Sequence, residues 1–385
     1  MHIVQDLLDK KPIQLTDKTR VTIAYTYSAP LTSTEKILMD TDASEDNLIL
    51  LNVMGERTDE YEKTRMNHEN RYQATREAFI NNPFIFVSKL NLDELETSKD
   101  LLDFNNHLLS YYTRGTLSNK LYLAVDDNTM YLEIFESMKE LSENELVLKL
   151  IPTSLSSLIL GDPDKYWDEI YATYKRFFRT VVSIVGASSG GKSTLAKNLS
   201  NEFNGLVNSE YIRHYNNNNH RYINESNYSA RDYMSIISGQ LAWSEEILNS
   251  NSDEKVVFLD TCPVVTKSYV ELSQDSFSLK DFDTLRGMTE IATMWSKNNV
   301  ELFIEVPYDT EFVTDGLRDG HYADTREEIH KYINQDIYRL GRGESSDLVY
   351  LNTGSFDSNT QMAKELVQEL LSKSTKLQPL TRGRW

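Results

Sequence analysis

Cysteine is nearly absent: the 385-residue chain has one, Cys262. A single thiol excludes an internal disulfide and a cysteine-rich zinc site, and it fits a reducing compartment. Long apolar runs are missing too, and no stretch approaches the ~18 residues of a membrane span. The N-terminus, MHIVQDLLDKKPIQL, has neither an extended apolar segment nor a small-residue cleavage site. These absences predict a cytoplasmic protein without stable membrane insertion. Positive charge is in deficit, with 40 Lys and Arg against 59 Asp and Glu, a formal charge of -19 and no basic run. Such a surface repels nucleic-acid phosphates, so no nucleic-acid partner is expected; the acidity serves solubility and favours cationic small molecules.

What is present is ordinary globular composition, 39% hydrophobic and 26% charged. At about 150 residues per domain the chain is too long for one core, and two domains are expected. After a lead-in over residues 1–19, apolar runs at Val21–Tyr27 and Asn47–Met54 read as buried strands, with shorter ones at Phe84–Ser88, Leu121–Val125 and Val147–Ile151. Helical patterns at Glu60–Phe79 and Leu132–Leu141 separate them, and the aromatic stretch Gly161–Arg179 reads as a helix between domains. A second βα series follows: strands at Lys255–Leu259, Val300–Val306 and Leu348–Leu351, helices at Ala230–Asn249, Leu279–Asn298 and Arg326–Leu340. Alternation of this kind predicts an α/β protein with parallel sheets. The expected division is 1–172, 173–375 and a tail at 376–385.

The strongest chemical signal is Gly186-Ala187-Ser188-Ser189-Gly190-Gly191-Lys192-Ser193, which matches G-x-x-x-x-G-K-[ST] between the strand TVVSIV and an amphipathic helix. Glycines let such a loop curl until its N–H groups form an anion nest, and the following helix adds its positive dipole end. Lys192 would reach the outer phosphates of ATP, and Ser193, followed by Thr194, would offer a hydroxyl to Mg²⁺. Asp260 closes the run KVVFLD, at the strand end where open parallel sheets place ligands. It could hold Mg²⁺ or take a proton from the acceptor hydroxyl; a helix N-cap is the alternative. Glu210 could be the base or bind a ribose hydroxyl, or simply pair with Arg213. Arg318, in Asp315-Gly-Leu-Arg318-Asp-Gly, suits a lid that brings a cation to the transferring phosphate, although a plain surface loop would read similarly.

The run KYWDEIYATYKRFFRTVVSIVGASSGGKST, then SEYIRHY, Ser238-Gly239-Gln240, FLDTCPVVTKSY and TDGLRD together resemble the NadR-type bifunctional nicotinamide-nucleotide adenylyltransferase and ribosylnicotinamide kinase proteins. The kinase half corresponds in order and spacing from about Thr180 to Asn352. The resemblance implies a nucleotidyltransferase-like Rossmann-type sheet followed by a doubly wound P-loop NTPase/kinase sheet. It also implies ATP and magnesium at Lys192, Ser193 and Thr194, acids at Glu210 and Asp260, a lid arginine at Arg318, and nicotinamide riboside as acceptor. Glu210, Tyr211, Arg213, Trp243 and Asp315 are the acceptor candidates, with Tyr215, Tyr269 and Trp295 as further aromatic walls for a pyridinium cation; core packing is the alternative for each of these aromatic residues.

The first half resembles the adenylyltransferase half at RMNHENRYQATREAF and GDPDKYW, but its chemistry departs. Relatives carry Pro-x-His-x-Gly-His after the first strand; here the stretch is Pro30-Leu31-Thr32-Ser33-Thr34-Glu35. A second signature, Ser-x-Thr-x-x-Arg, becomes Leu155-Ser156-Ser157-Leu158-Ile159-Leu160. Loss of both histidines and the arginine, with Glu35 where triphosphate should lie, predicts lost adenylyl transfer. No helix-turn-helix precedes the half, so DNA binding is not expected. A nucleotide-switched sensor of NAD status and a still bifunctional enzyme are the alternatives. A homo-oligomer is compatible with all three.

Overall fold

The computed structural model describes residues 20–27, 30–55, 65–91, 93, 99–100, 103, 120–125, 145–150, 154–218, 228–313, 322–342 and 348–373. The expected helix Leu132–Leu141 lies outside them. The chain forms two compact units that divide between Phe178 and Arg179.

In the first unit, β1 (Arg20–Tyr27), β2 (Asn47–Gly55), β3 (Ile85–Asn91), β4 (Lys120–Val125) and β5 (Glu145–Leu150) form a parallel sheet in the order β3-β2-β1-β4-β5. β2 is buried along its whole length, which is why its sequence is a continuous apolar run rather than an alternating one. The helix His68–Phe79 begins where the Asn67 side chain accepts from the Asn70 N–H at 2.9 Å. It covers the core with Tyr72, Ala74, Ala78 and Phe79. Arg71 on that helix is buried, yet its guanidinium donates to the carbonyls of Met66 and Met54 at 2.9 and 3.1 Å.

The segment 161–179 is not the single helix its pattern suggested. It contains a 3₁₀ turn at Trp167–Glu169 and one helical turn at Ala172–Lys175. Between them Ile170 bridges Thr32, and the Tyr171 N–H donates to the Leu31 carbonyl at 3.0 Å, so that backbone is committed to a neighbour and cannot run on as helix. Trp167, Tyr174 and Phe177 pack into the first unit's core, and the unit therefore ends after 178 rather than after 172.

In the second unit, β6 (Thr180–Val185), β7 (Leu206–Asn208), β8 (Val256–Asp260), β9 (Leu302–Glu305) and β10 (Leu348–Tyr350) form a parallel sheet in the order β10-β9-β6-β8-β7. Alternate residues of β6 feed two cores. Val181 and Val185 pack with Ile329, Ile333 and Val265 on one side; Val182 and Ile184 pack with Leu195, Leu199 and Val367 on the other. Each such fully buried side chain contributes about 1.5–3 kcal/mol. The last expected helix, 326–340, runs as α-helix over Arg326–Ile337 and continues as a π turn over Tyr338–Arg342. Among the described residues no helix is long and apolar enough to cross a membrane.

Arg179 opens this unit fully buried. It donates to the carbonyls of Glu254 at 3.1 Å and Ser252 at 3.0 Å, and also to that of Leu248. Burial brings its guanidinium down to about 10, still cationic at neutral pH. It thus satisfies the turn that feeds β8, in register beside β6. Replacing it with methionine keeps the volume but strands those carbonyls. Arg179→Met should lose about 3 kcal/mol or more of stability, read as a lower thermal midpoint; an unchanged midpoint would show the turn is held otherwise.

Candidate active site

β6 is the strand at which the strand order of the second sheet reverses, with β8 on one side and β9 on the other. Connections leave the two flanks in opposite senses there and open a crevice at the carboxyl edge. Residues 186–191 occupy it. Gly186, Ser189 and Gly191 have φ of +133°, +64° and +87°, and a chain that alternates hand in this way turns successive N–H groups inward. A Cβ on Gly186 would meet Val306 Cγ2 at 2.8 Å, and one on Gly190 would meet the same atom at 2.5 Å and the Pro307 carbonyl at 2.9 Å. The strand-end of β9 therefore closes beneath the loop, and glycine is required at both positions.

Ser189 is the one side chain held in the left-handed region of the loop. Its hydroxyl accepts from the Val313 N–H at 3.2 Å and donates to the Val313 carbonyl at 3.1 Å, while its own carbonyl accepts from Thr310 Oγ1 at 3.0 Å. Thr310 Oγ1 in turn accepts from Arg326 Nη2 at 2.8 Å. Lys192 starts the helix Lys192–Phe203 and is buried; its Nζ folds back on the carbonyls of Gly186 and Ala187, each at 3.0 Å. An ammonium resting on neutral carbonyls can exchange them for an anion at little cost. Ser193, next along that helix, is half-buried and Thr194 is exposed.

Asp260 ends β8 directly beside Ile184 of β6. Thr261 follows at φ +80°, a conformation costing on the order of 1–3 kcal/mol for a residue of this kind. Asp260 Oδ1 and Thr261 Oγ1 are buried and have no hydrogen-bond partner among the described residues. Strain and unsatisfied polar atoms at one strand end mark a place built for a ligand rather than for stability.

Ser188 of the loop and Thr261 both line a cavity of about 700 Å³, counting its open mouth. Among the described residues its walls carry four tyrosines, Tyr228, Tyr233, Tyr269 and Tyr322. Tyr228 meets Tyr233 and Tyr269 meets Tyr322 edge-on, at 5.6 and 5.1 Å between centroids. The hydroxyls of Tyr233 and Tyr322 lie 2.9 Å apart, and burial pushes the Tyr233 phenol far above its usual range, so it stays neutral. Glu210, Arg213, Asn216 and Gln240 supply polar wall, with the Arg213 Nε 3.6 Å from Glu210 Oε2.

In the first unit the turn after β1 leads into a capped helix. Thr32 caps the helix Ser33–Asp42: its Oγ1 accepts from the Glu35 N–H at 3.1 Å, and Glu35 Oε2 accepts from the Thr32 N–H at 2.8 Å. Thr32 and Glu35 thus form a reciprocal capping box.

Residues 181–349 match the family described as AAA domain. The trifunctional NAD biosynthesis/regulator protein NadR of Salmonella typhimurium is 26% identical over 216 residues, which are 56% of this chain and 48% of that protein. The chain spans about half the length of the curated relatives it matches. A crystal structure of NadR protein in complex with NR superposes with a TM-score of 0.72 at 23% identity, covering 94% of this chain and 99% of that one. A crystal structure of NadR protein in complex with NAD and AMP-PNP gives 0.68 at 22% identity, covering 94% and 98%. The chain is thus similar to NadR proteins in sequence over about half its length and in fold over nearly all of it.

The structure sorts the residues singled out by sequence. The phosphate loop, Asp260, Glu210, Arg213 and Tyr269 meet around one crevice and cavity. Tyr211 and Trp243 do not line it; they pack edge-on against each other at 5.0 Å, with the exposed His214 ring against both. Trp295 instead donates to Glu245, and Tyr215 to Asp232 at 2.6 Å, a bond that together with burial raises the Tyr215 phenol. Asp315 and Arg318 lie outside the described residues. Sequence reasoning missed Tyr228, Tyr233, Tyr322, Thr261 and Asn216. Only Thr261, adjacent to Asp260, had a local signal.

The Tyr211 ring covers Gly239 so closely that a Cβ there would overlap it, and Gln240 Oε1 accepts from the Tyr211 N–H at 2.7 Å. Ser238-Gly239-Gln240 therefore docks the helix Tyr211–Asn218, which carries one cavity wall. Gly239→Ala should cost about 1–3 kcal/mol from overpacking and shift Trp243 fluorescence. A variant with wild-type melting and emission would show that the contact is dispensable.

Proposed function

We propose that this chain is a kinase that transfers the γ-phosphoryl group of ATP to the primary hydroxyl of nicotinamide riboside, giving the mononucleotide, and that its first unit has lost adenylyl transfer. The observation that carries the reading is the shared boundary of two sites. A phosphate nest and an unsatisfied buried carboxylate abut a tyrosine-walled cavity, through Ser188 and Thr261. The related proteins solved with NR and with AMP-PNP support that pairing of ligands.

In this reading the N–H groups of the loop and Lys192 Nζ hold the triphosphate. Lys192 leaves the carbonyls of Gly186 and Ala187 for the outer phosphate oxygens, where it offsets charge that develops on the bridging oxygen. The residues fit a magnesium ion: Ser193 offers a hydroxyl and Asp260 a carboxylate oxygen lacking any partner among the described residues, both oxygen donors suited to a hard cation. Magnesium bound there would supply charge neutralisation across the phosphates. The riboside hydroxyl oxygen forms the new bond to phosphorus, the bond to the bridging oxygen breaks, and Asp260 accepts the hydroxyl proton. Glu210, with Arg213, orients the ribose, and the tyrosines give a pyridinium cation π faces while excluding water. Arg318 is assigned the lid role on its sequence context.

The assigned loss of adenylyl transfer rests on the capping box. Glu35 places a carboxylate at the turn where adenylyl transfer needs groups that stabilise phosphate, and that carboxylate is engaged in starting a helix.

Purified protein given riboside and Mg-ATP should form mononucleotide. Lys192→Ala should abolish turnover, Asp260→Asn should lower kcat by about 10²–10⁴, and Glu210→Gln should act mainly on KM. No product at millimolar riboside would sink the kinase assignment. Supplied with mononucleotide and ATP, the wild-type protein should form no dinucleotide; its appearance would overturn the reading of Thr32 and Glu35.

A further inference from the structure

Two neutral amides in the cavity wall are left half-satisfied in opposite senses. Gln240, on the helix Ala230–Leu248, spends its carbonyl oxygen on the Tyr211 N–H at 2.7 Å. A backbone N–H can only donate, so this bond fixes which end of the amide is which. Gln240 Nε2 is then a buried donor with no partner among the described residues. Asn216, on the neighbouring helix Tyr211–Asn218, donates through Nδ2 to the Tyr228 hydroxyl at 2.8 Å. That leaves Asn216 Oδ1 as a buried acceptor, likewise without a partner among the described residues. Both side chains line the cavity, at 3% and 5% exposure.

A stranded buried amide atom costs about 1–3 kcal/mol, and two of them on one cavity wall are not explained by packing. Their complement is a group that presents one acceptor and one donor and carries no charge. A primary carboxamide does this: its oxygen accepts from Gln240 Nε2 and its NH₂ donates to Asn216 Oδ1. A carboxylate offers only acceptors and would set an anionic oxygen against Asn216 Oδ1. The one cation among the described cavity-lining residues, Arg213, is engaged with Glu210 at 3.6 Å.

We infer that Asn216 and Gln240 are specificity-determining residues that read the carboxamide of the acceptor and reject its carboxylic acid counterpart. The inference rests on the kinase reading above and sharpens it: the acceptor class is a pyridinium riboside bearing an uncharged primary amide. Sites built to hydrogen-bond a substrate group discriminate strongly against the analogue lacking it.

The test compares kcat/KM for nicotinamide riboside and nicotinic acid riboside in wild-type protein and two variants. Wild type should prefer the amide by on the order of 100-fold. Gln240→Glu keeps the oxygen that holds Tyr211 but replaces the donor with an acceptor; Asn216→Leu removes the acceptor. Each should lower kcat/KM for the amide by roughly ten-fold or more, expressed in KM with kcat largely kept. The acid should be affected less by Asn216→Leu, so the ratio narrows. A wild-type ratio near one, or variants that depress both ribosides equally, would overturn the inference while leaving the kinase intact. If Asn216→Leu fails to fold, the wild-type ratio and the isosteric Gln240→Glu decide alone. If neither riboside is phosphorylated, the kinase reading has failed. Calorimetry of the two ribosides on wild-type protein then decides the recognition claim, tighter binding of the amide sustaining it and equal or no binding overturning it.

Discussion

The backbone between Gly186 and Gly191 can exist only because no side chain stands between it and the end of β9. Val306 and Pro307 occupy the space that Cβ atoms on Gly186 and Gly190 would need. That contact makes the loop a rigid lining of the sheet's crevice rather than a surface excursion. The rest of the site is placed relative to it. Lys192 begins its helix where the last positive-φ glycine ends the curl, and Asp260 reaches the same edge because β8 runs in register beside β6.

Local stability is given up around this loop and offset beneath it. Thr261 is held at positive φ, and polar atoms of Asp260, Thr261, Asn216 and Gln240 are buried without partners among the described residues. Against that, β6, β8 and β9 are buried throughout and pack into cores on both faces of the sheet. An interior packed like a crystal can hold strained residues at its rim without yielding. Ser189 ties the loop to Thr310 and Val313, and through them to Arg326 at the start of the following helix. A shift of the loop would therefore be felt at that helix by a short chain of hydrogen bonds.

The two units share an α/β plan and use the same position in it differently. In each, the first strand stands where the sheet order reverses. In the second unit the turn that follows is a glycine nest, while in the first it is a capping box that commits the side chains of Thr32 and Glu35 to starting a helix. One architecture thus carries a binding turn in one half and a stabilising turn in the other, and side chains of the same few positions decide which.

Sequence by itself determined the α/β class of fold and the P-loop. Each of these depends on patterns local in the chain: apolar runs of strand length, helix caps, and glycines at fixed offsets from a lysine. It misjudged residues 161–179, because the pairing of Ile170 and Tyr171 with Thr32 and Leu31 is a contact between distant segments that no helical periodicity reveals. It favoured Tyr211 and Trp243 for the cavity and passed over Tyr228, Tyr233 and Tyr322. Aromatic residues at helical spacing look alike in sequence, and only the packing of one helix on another decides which rings face inward. The unsatisfied atoms of Asn216, Gln240 and Thr261 were beyond sequence altogether. Whether an amide or hydroxyl finds a partner depends on where the folded chain brings its neighbours.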